Sequence, residues 1–314
     1  MNPYYKDYSE YLSSFFEGKI QKLSVDAAFS CPNRDGTTGT GGCIYCSNVA
    51  FSPDWEKRHL DVAVQISRGK AFFARKYPSM RYLAYFQSYT STWGDAARTL
   101  ALYREALAQP DIVGIIIGTR PDCLPDELLG ELADINRGDK RVFIEFGAES
   151  SHDSTLQRIN RCHTWQTTID AVWRVHKTGI PVGLHFIMGL PGETHRMMLE
   201  TVRRINDLPV DTVKFHHLQI LRGTPLARAV AEGTIADFEQ FTPESYAGLC
   251  LEIISLLRKD IAIERFLAQA PSELLISPRW GLKNYEFTNI LNRKLALRYG
   301  SGGRGEESSS VAMS

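Results

Sequence analysis

The sequence predicts an α/β fold in which a largely parallel sheet is built from six strand–helix units. Two observations carry that expectation. Short runs rich in β-branched and aromatic residues recur along the first two thirds of the chain, and several are almost continuously apolar, as in IVGIIIG at 112–118. Strands buried on both faces read this way. Segments with helical patterning stand between these runs, and strand–helix alternation packs most simply as a parallel sheet with right-handed crossovers. An open doubly wound sheet and an incomplete barrel both satisfy the pattern, and periodicity does not separate them.

The strand candidates are residues 22–29, 81–88, 112–119, 141–148, 181–190 and 212–221. The intervening helices are expected at 55–77, at 95–108 with Asp95 as N-cap, and at 125–136 with a proline at the start. Two more are expected at 164–178, stopped by Gly179, and at 194–207. After Leu221 the alternation weakens to a helix at 242–259, a strand candidate at 262–268 and a helix at 284–297. The expected organisation is an N-terminal extension (1–21), a core (22–235), a small C-terminal accessory region (236–299) and a Gly- and Ser-rich disordered tail (300–314).

The 314 residues are 43% hydrophobic, enough for a sizeable core, so global disorder is not expected. The 36 basic and 36 acidic residues cancel, so the chain as a whole exerts no pull toward nucleic acid or membrane. No apolar run has the roughly 18 residues of a membrane span, and the N-terminus lacks the regions of a signal peptide. A cytoplasmic location is therefore expected, and there six cysteines are not a disulfide framework.

Three of the cysteines fall in one loop directly after the first strand candidate: CPNRDGTTGTGGCIYC, residues 31–46. Cys43 and Cys46 are spaced C-x2-C, which lets two thiolates grip one metal centre. The glycines before Cys43 let the backbone fold tightly around something bulky. Two metal readings stand. An iron–sulfur cluster normally takes four thiolates, and with three it leaves one iron open to a ligand. A structural zinc needs a fourth ligand, from His59 or a distant cysteine. Unligated thiols are the bland third reading.

Further phrases follow in a fixed order: YFQSYTST at 85–92, GTRPDCL at 118–124, EFGAES at 145–150 with NRCH at 160–163, and HFIMGLPGET at 185–194. Together with the cysteine loop, over residues 22–226, they resemble the radical S-adenosylmethionine (SAM) superfamily. The likeness is strongest to the YhcC-like family and to the radical SAM domain of the Elongator catalytic subunit. The resemblance implies a partial (β/α)6 TIM-like barrel and a radical SAM enzyme. Such an enzyme cleaves SAM reductively at a 4Fe–4S cluster, and the resulting 5′-deoxyadenosyl radical takes hydrogen from a substrate. The implied cluster ligands are Cys31, Cys43 and Cys46. The first gap, C-x11-C, is longer than the usual C-x3-C but fits this branch.

The resemblance also implies a SAM cradle. Tyr45 takes the aromatic position near adenine. Gln87 and Ser88 stand where other members carry a Gly-Gly-Glu segment, so only a backbone role transfers. Glu149 and Arg161 match the polar pair for ribose and carboxylate, with Glu145 as an alternative to Glu149. Ile187 and Gly189 match the adenine-binding strand. Each has a plainer reading: a polar strand end, a surface ion pair, and an ordinary strand–turn–helix capped by Thr194. Implied partners are a reductant such as flavodoxin or ferredoxin and, by analogy with Elongator, a tRNA substrate; no membrane is expected. The rival is a zinc-stabilised α/β RNA-binding protein without radical chemistry. Lys214, His216 and His185 read as barrel-interior or satisfied polar residues, and Cys123 as a buried, inert thiol.

Overall fold

The structure, a computed structural model, describes residues 2–47, 53–76 and 79–300. One parallel sheet organises it. Its strands are β1 (Ile20–Val25), β2 (Arg81–Phe86), β3 (Ile112–Thr119), β4 (Arg141–Glu149), β5 (Val182–Met188), β6 (Thr212–His217) and β8 (Ala262–Arg265), hydrogen-bonded in that order. A two-residue strand β7 (Ile220–Leu221) pairs antiparallel with β9 (Leu275–Ser277) outside this sheet. Helices α2 (Val62–Ala74), α3 (Ala96–Leu107), α4 (Asp126–Arg137), α6 (Trp165–His176) and α7 (His195–Asn206) form the crossovers. The strand order never reverses. Crossovers of one hand therefore put these five helices on the same face, and the sheet curls away from them into an open barrel. The partial barrel is thus the one of the two packings the chain adopts.

Local chemistry explains the boundaries. Asp95, Thr164 and Thr194 each accept a hydrogen bond from the backbone N–H three residues on, starting α3, α6 and α7. The strand expected at 22–29 stops at Val25 because the Gln65 side chain takes both backbone groups of Asp26, at 3.0 and 2.8 Å. The helix expected at 55–77 begins only at Val62; residues 53–60 make separate turns, and Tyr77 lies outside the described residues. Residues 301–314 of the expected tail also lie outside them, while Gly300 caps α10 (Asn284–Tyr299).

The six strand–helix units leave out a seventh strand of the sheet, which falls at the strand candidate expected at 262–268. Strand β8, from the region expected to be accessory, pairs in parallel with β6. Side chains alternate across a strand, so the two faces of the sheet bury different things. The outer face packs the main core against the helices, with Leu23, Phe86, Ile115, Ile144, Leu184 and Phe215 all buried. The inner face is layered. At the bottom, Leu83, Ile116, Phe143 and Ala262 meet Tyr11, Leu12 and Phe16 of the N-terminal segment, which includes helix α1 (Tyr8–Ser13). That segment plugs the barrel, and it also pairs at Asp7 with Ile263 of β8.

Above the plug lies a charged layer drawn from six strands. Lys22 contacts Glu145 at 3.0 Å and Glu264 at 2.5 Å, and Lys214 contacts the same two carboxylates at 3.0 Å each. His185 reaches Glu145 at 2.9 Å, and Tyr85 Oη accepts from Lys214 at 3.1 Å. The Lys22–Glu264 contact joins the first and last strands across the interior, which ties the curl of the sheet.

Candidate SAM and iron–sulfur site

A cavity of about 450 Å³ opens above the charged layer, at the C-terminal ends of the strands. This is where α/β barrels place their chemistry. One wall is the cysteine loop, with Cys31, Cys43, Tyr45 and Cys46 all lining the cavity. The loop is held from several directions. Its backbone turns back on itself through Arg34 N to Cys31 O (2.8 Å) and Gly42 N to Asn33 O (2.8 Å). Asn160 donates from its side chain to the carbonyls of Thr40 and Gly42. Ile44 bonds the backbone of Ile159 and of Leu226, at the start of helix α8 (Pro225–Ala231). Gly42 has φ +77, and a Cβ there would meet the Arg34 side chain at 2.8 Å, so the turn into Cys43 requires glycine.

The opposite wall comes from the strand ends. Gln87, Ser88, Gly147, Glu149, Arg161 and Ile187 line the cavity. Arg161 is 7% exposed, so the surface ion-pair reading fails. Its Nη2 donates to the Gly147 carbonyl and stands 3.6 Å from Glu149, its Nη1 points at Cys43 Sγ at 3.5 Å, and its Nε reaches His163 at 3.0 Å. Burial opposes its charge, but Cys43, Tyr45 and Glu149 outweigh burial and hold the guanidinium protonated. Glycine at 147 leaves room for this pair; a Cβ would come within 2.8 Å of both Glu149 and Arg161. Glu149 itself has φ +67, strained backbone of the kind found at functional sites. Ser88 is not a free donor: its hydroxyl bonds the buried Glu56 at 2.7 Å.

Gly189 departs from the expected cradle. It is not among the lining residues, and a Cβ there would meet Phe241 Cε2 at 2.9 Å. Its glycine answers to that contact and to a left-handed φ of +84. Glu145 does line the cavity, from the charged layer below Gly147. Burial raises its pKa, yet Lys214, Lys22 and His185 together hold it well below the usual carboxylate range. Lys214 and His216 both turn inward: Lys214 is a satisfied ion-pair member, while His216 lines the cavity. Cys123 is buried beside Asp122, and burial pushes its thiol up to about 12, in keeping with an inert thiol.

Several lining residues were given no role from the sequence, among them three arginines, and Tyr89 figured there only as the neighbour of Gln87 and Ser88. Arg34 donates to the Cys46 carbonyl at 3.1 Å and places its charge beside the thiols. Tyr89, at φ +62, sits under the guanidinium groups of Arg34 and Arg58, 5.9 and 5.3 Å from its ring centre. Arg120 grips Asp122 bidentately at 2.9 and 2.8 Å and donates to the Arg161 carbonyl. Arg265 comes from β8. Arg34 and Arg120 lie inside motifs the sequence displays, but nothing in their spacing distinguishes them from surface arginines.

The donor set suits a cluster. Three thiols share one cavity wall, and the Asn33 amide (3.7 Å) and Arg161 (3.5 Å) aim N–H groups at Cys43 Sγ, as an anionic cluster requires. Burial and Cys43 push the Cys46 thiol up, and Arg34 pulls it back. The candidates for a fourth zinc ligand stand outside the cavity: His59 is exposed, Cys162 is exposed and packs on the back of the loop against Asn33 and Gly39, Cys123 is buried beside Asp122, and Cys250 is buried in the outer core. None of them lines the cavity. Among the described residues, no three His, Cys, Asp or Glu side chains, Cys31, Cys43 and Cys46 included, converge on one metal-ion position.

Behind this wall, Glu193 is buried at 7% exposure and accepts a hydrogen bond from Ser150, tying the end of β4 to the turn before α7. Burial raises its pKa from 4.5 to about 7, with Ser150 and Thr155 offsetting only part. A carboxyl raised in the folded state is ionised first in the unfolded chain. Stability is therefore fully present below about pH 4.5 and falls as pH rises to about 7, by on the order of 3 kcal/mol. Denaturation of Glu193→Gln across this range is expected to lack that slope; an unchanged slope contradicts the assignment.

Residues 35–205 match the family model for the radical SAM superfamily, and residues 210–296 that of the radical SAM C-terminal domain. Protein YhcC of Escherichia coli is 37% identical over 83% of this chain and 82% of its own length. A tRNA uridine(34) acetyltransferase of Methanocaldococcus jannaschii is 23% identical over 54% of this chain but only 30% of its own. Among solved structures, the archaeal Methanocaldococcus infernus Elp3 with an N-terminal deletion superposes with TM-score 0.68 at 15% identity, over 90% of this chain and 63% of that one. No helix among the described residues is long and apolar enough to cross a membrane. With the family match spanning more than half its length and the YhcC likeness most of it, the chain belongs to the radical SAM superfamily and is an enzyme of that class.

Proposed function

We propose that Cys31, Cys43 and Cys46 hold a 4Fe–4S cluster and that the facing wall holds SAM. The observation that carries this is the placement of three thiols and the buried Glu149–Arg161 pair on one cavity at the strand ends. Arg161 offers a planar fork to a carboxylate. Glu149 accepts from hydroxyls. Ile187 and Tyr45 give an apolar surface, packed on Leu156, Ile159 and Leu190. The backbone at Gln87 and Ser88 closes the end of β2. When bound, the cluster and SAM supply a 5′-deoxyadenosyl radical, and that chemistry is the cofactors' own. The chain's part is to fix their positions, exclude water and present the substrate. An external reductant such as flavodoxin or ferredoxin delivers the electron.

For the substrate we propose tRNA, supported by the partial match to the tRNA uridine(34) acetyltransferase. That match covers 30% of the relative, so acetyl transfer is not carried over. The test is anaerobic incubation of the reconstituted protein with dithionite and SAM, following 5′-deoxyadenosine with and without bulk tRNA. Formation of 5′-deoxyadenosine is expected, with stimulation by tRNA. Its absence from cluster-loaded protein contradicts the enzyme reading, and its presence without stimulation contradicts only the substrate.

A further inference from the structure

The floor of the cavity contains an arrangement that SAM binding does not use. Glu145 accepts hydrogen bonds from Lys22 (3.0 Å), Lys214 (3.0 Å) and His185 Nε2 (2.9 Å). An ionised carboxylate only accepts. The proton on His185 is therefore fixed at Nε2, and Nδ1 is left with a lone pair. Among the described residues Nδ1 has no hydrogen-bond partner, and it is not one of the buried orphaned atoms. The His185 side chain is 21% exposed and lines the cavity. The dyad resembles in form any carboxylate-oriented histidine, with the carboxylate here braced by two lysines.

We propose that His185, oriented by Glu145, accepts a proton from the substrate at Nδ1. This rests on the reading that the substrate reacts in this cavity, and it names a chemical requirement. The part of the substrate that reaches the floor carries an O–H or N–H, as in an alcohol, an amide or the imide of a pyrimidine. In the transfer that O–H or N–H bond breaks and Nδ1–H forms. The electron pair stays on the substrate's oxygen or nitrogen, and no oxidant is consumed. The imidazolium then faces the Glu145 carboxylate.

The surrounding charges fit a neutral resting base. Lys22 of β1, Glu145 of β4, Lys214 of β6 and Glu264 of β8 are two cations and two anions that cancel. Tyr85 of β2 and Tyr8 of α1 are protonated phenols above and beside them, raised by burial. His216 of β6 is neutral, its pKa lowered by burial and by Arg265 of β8. Burial and then Lys214 lower the His185 pKa, while Glu145 opposes them. The ring is thus unprotonated near neutrality and free to take a proton.

Ring-15N NMR of histidine-labelled full-length protein, with its cluster oxidised and His185 assigned through His185→Gln, tests the tautomer directly. At pH 7.5 the expected signal is a protonated Nε2 and a bare Nδ1, and Glu145→Gln is expected to admit the second tautomer. A proton on Nδ1, or an imidazolium, at that pH overturns the proposal. The wild-type spectrum decides this even if Glu145→Gln does not fold. In the second arm, bulk tRNA is the probe and 5′-deoxyadenosine the readout. His185→Leu is expected to lower the stimulated rate a hundredfold or more, as loss of a general base does, and His185→Gln, an acceptor without basicity, is expected not to restore it. A stimulated rate within a few-fold of wild type in His185→Leu overturns the base role. If tRNA fails to stimulate the wild type, the substrate reading fails while the spectrum still decides the dyad.

Discussion

Serine in place of Cys43 is expected to empty the site: iron falls from about four atoms per chain, the stoichiometry of the cube, to nearly none, and 5′-deoxyadenosine formation disappears. Cys43 is 4% exposed, and its sulfur receives N–H groups from Asn33 and Arg161. Serine is close in volume, so the packing around it is retained, but its hydroxyl is a harder and far less acidic ligand than a thiol. The same outcome is expected for Cys31→Ser and Cys46→Ser, because three thiolates are the minimum that holds the cluster while leaving one iron for SAM. Iron analysis with circular dichroism separates loss of the cluster from loss of the fold. A folded variant with wild-type iron and 5′-deoxyadenosine excludes that cysteine as a ligand.

The second large effect is on stability. Lys214→Met keeps the length of the side chain and removes its charge from a layer where Lys214 is 2% exposed between two carboxylates. Glu145 and Glu264 are then left sharing the one lysine Lys22, with His185 still on Glu145. Breaking a buried ion pair from one side costs about 3–5 kcal/mol, since the abandoned charge stays desolvated. Urea denaturation is expected to show that loss. Adding Glu264→Gln is expected to recover part of it, because the two positions are coupled. A Lys214→Met protein as stable as the wild type means that the layer is wetter and looser than its geometry implies.

That layer also marks the limit of what the sequence displays. β3 could be located because Ile115, Ile116 and Ile117 are all buried and the strand reads as one apolar run. β8 was expected as a strand but could not be assigned to the barrel, because its four residues include Glu264 and Arg265 and nothing local says they face a barrel interior. The polar residues make sense only when Lys22, 242 residues away, is brought beside Glu264. The cysteine loop was legible because its spacing and glycines are local properties. Glu149 and Arg161 were paired through motif likeness, and their burial is what rules out a surface ion pair. Gly189 was ambiguous because a glycine at a strand end has several explanations, and here a φ of +84 and the close approach of Phe241 both require it without any ligand. His185 could be read only as a barrel-interior or structural histidine, since its meaning depends on which ring nitrogen Glu145 engages.

The account rests on a three-thiolate cluster whose remaining iron takes SAM. Mössbauer spectroscopy of the anaerobically reconstituted, 57Fe-labelled protein, recorded before and after adding SAM, tests this most directly. The expected spectrum is that of a 4Fe–4S centre in which one iron site out of four changes on adding SAM. A cluster whose irons all ignore SAM, or a colourless protein that retains one zinc and refuses iron, contradicts it.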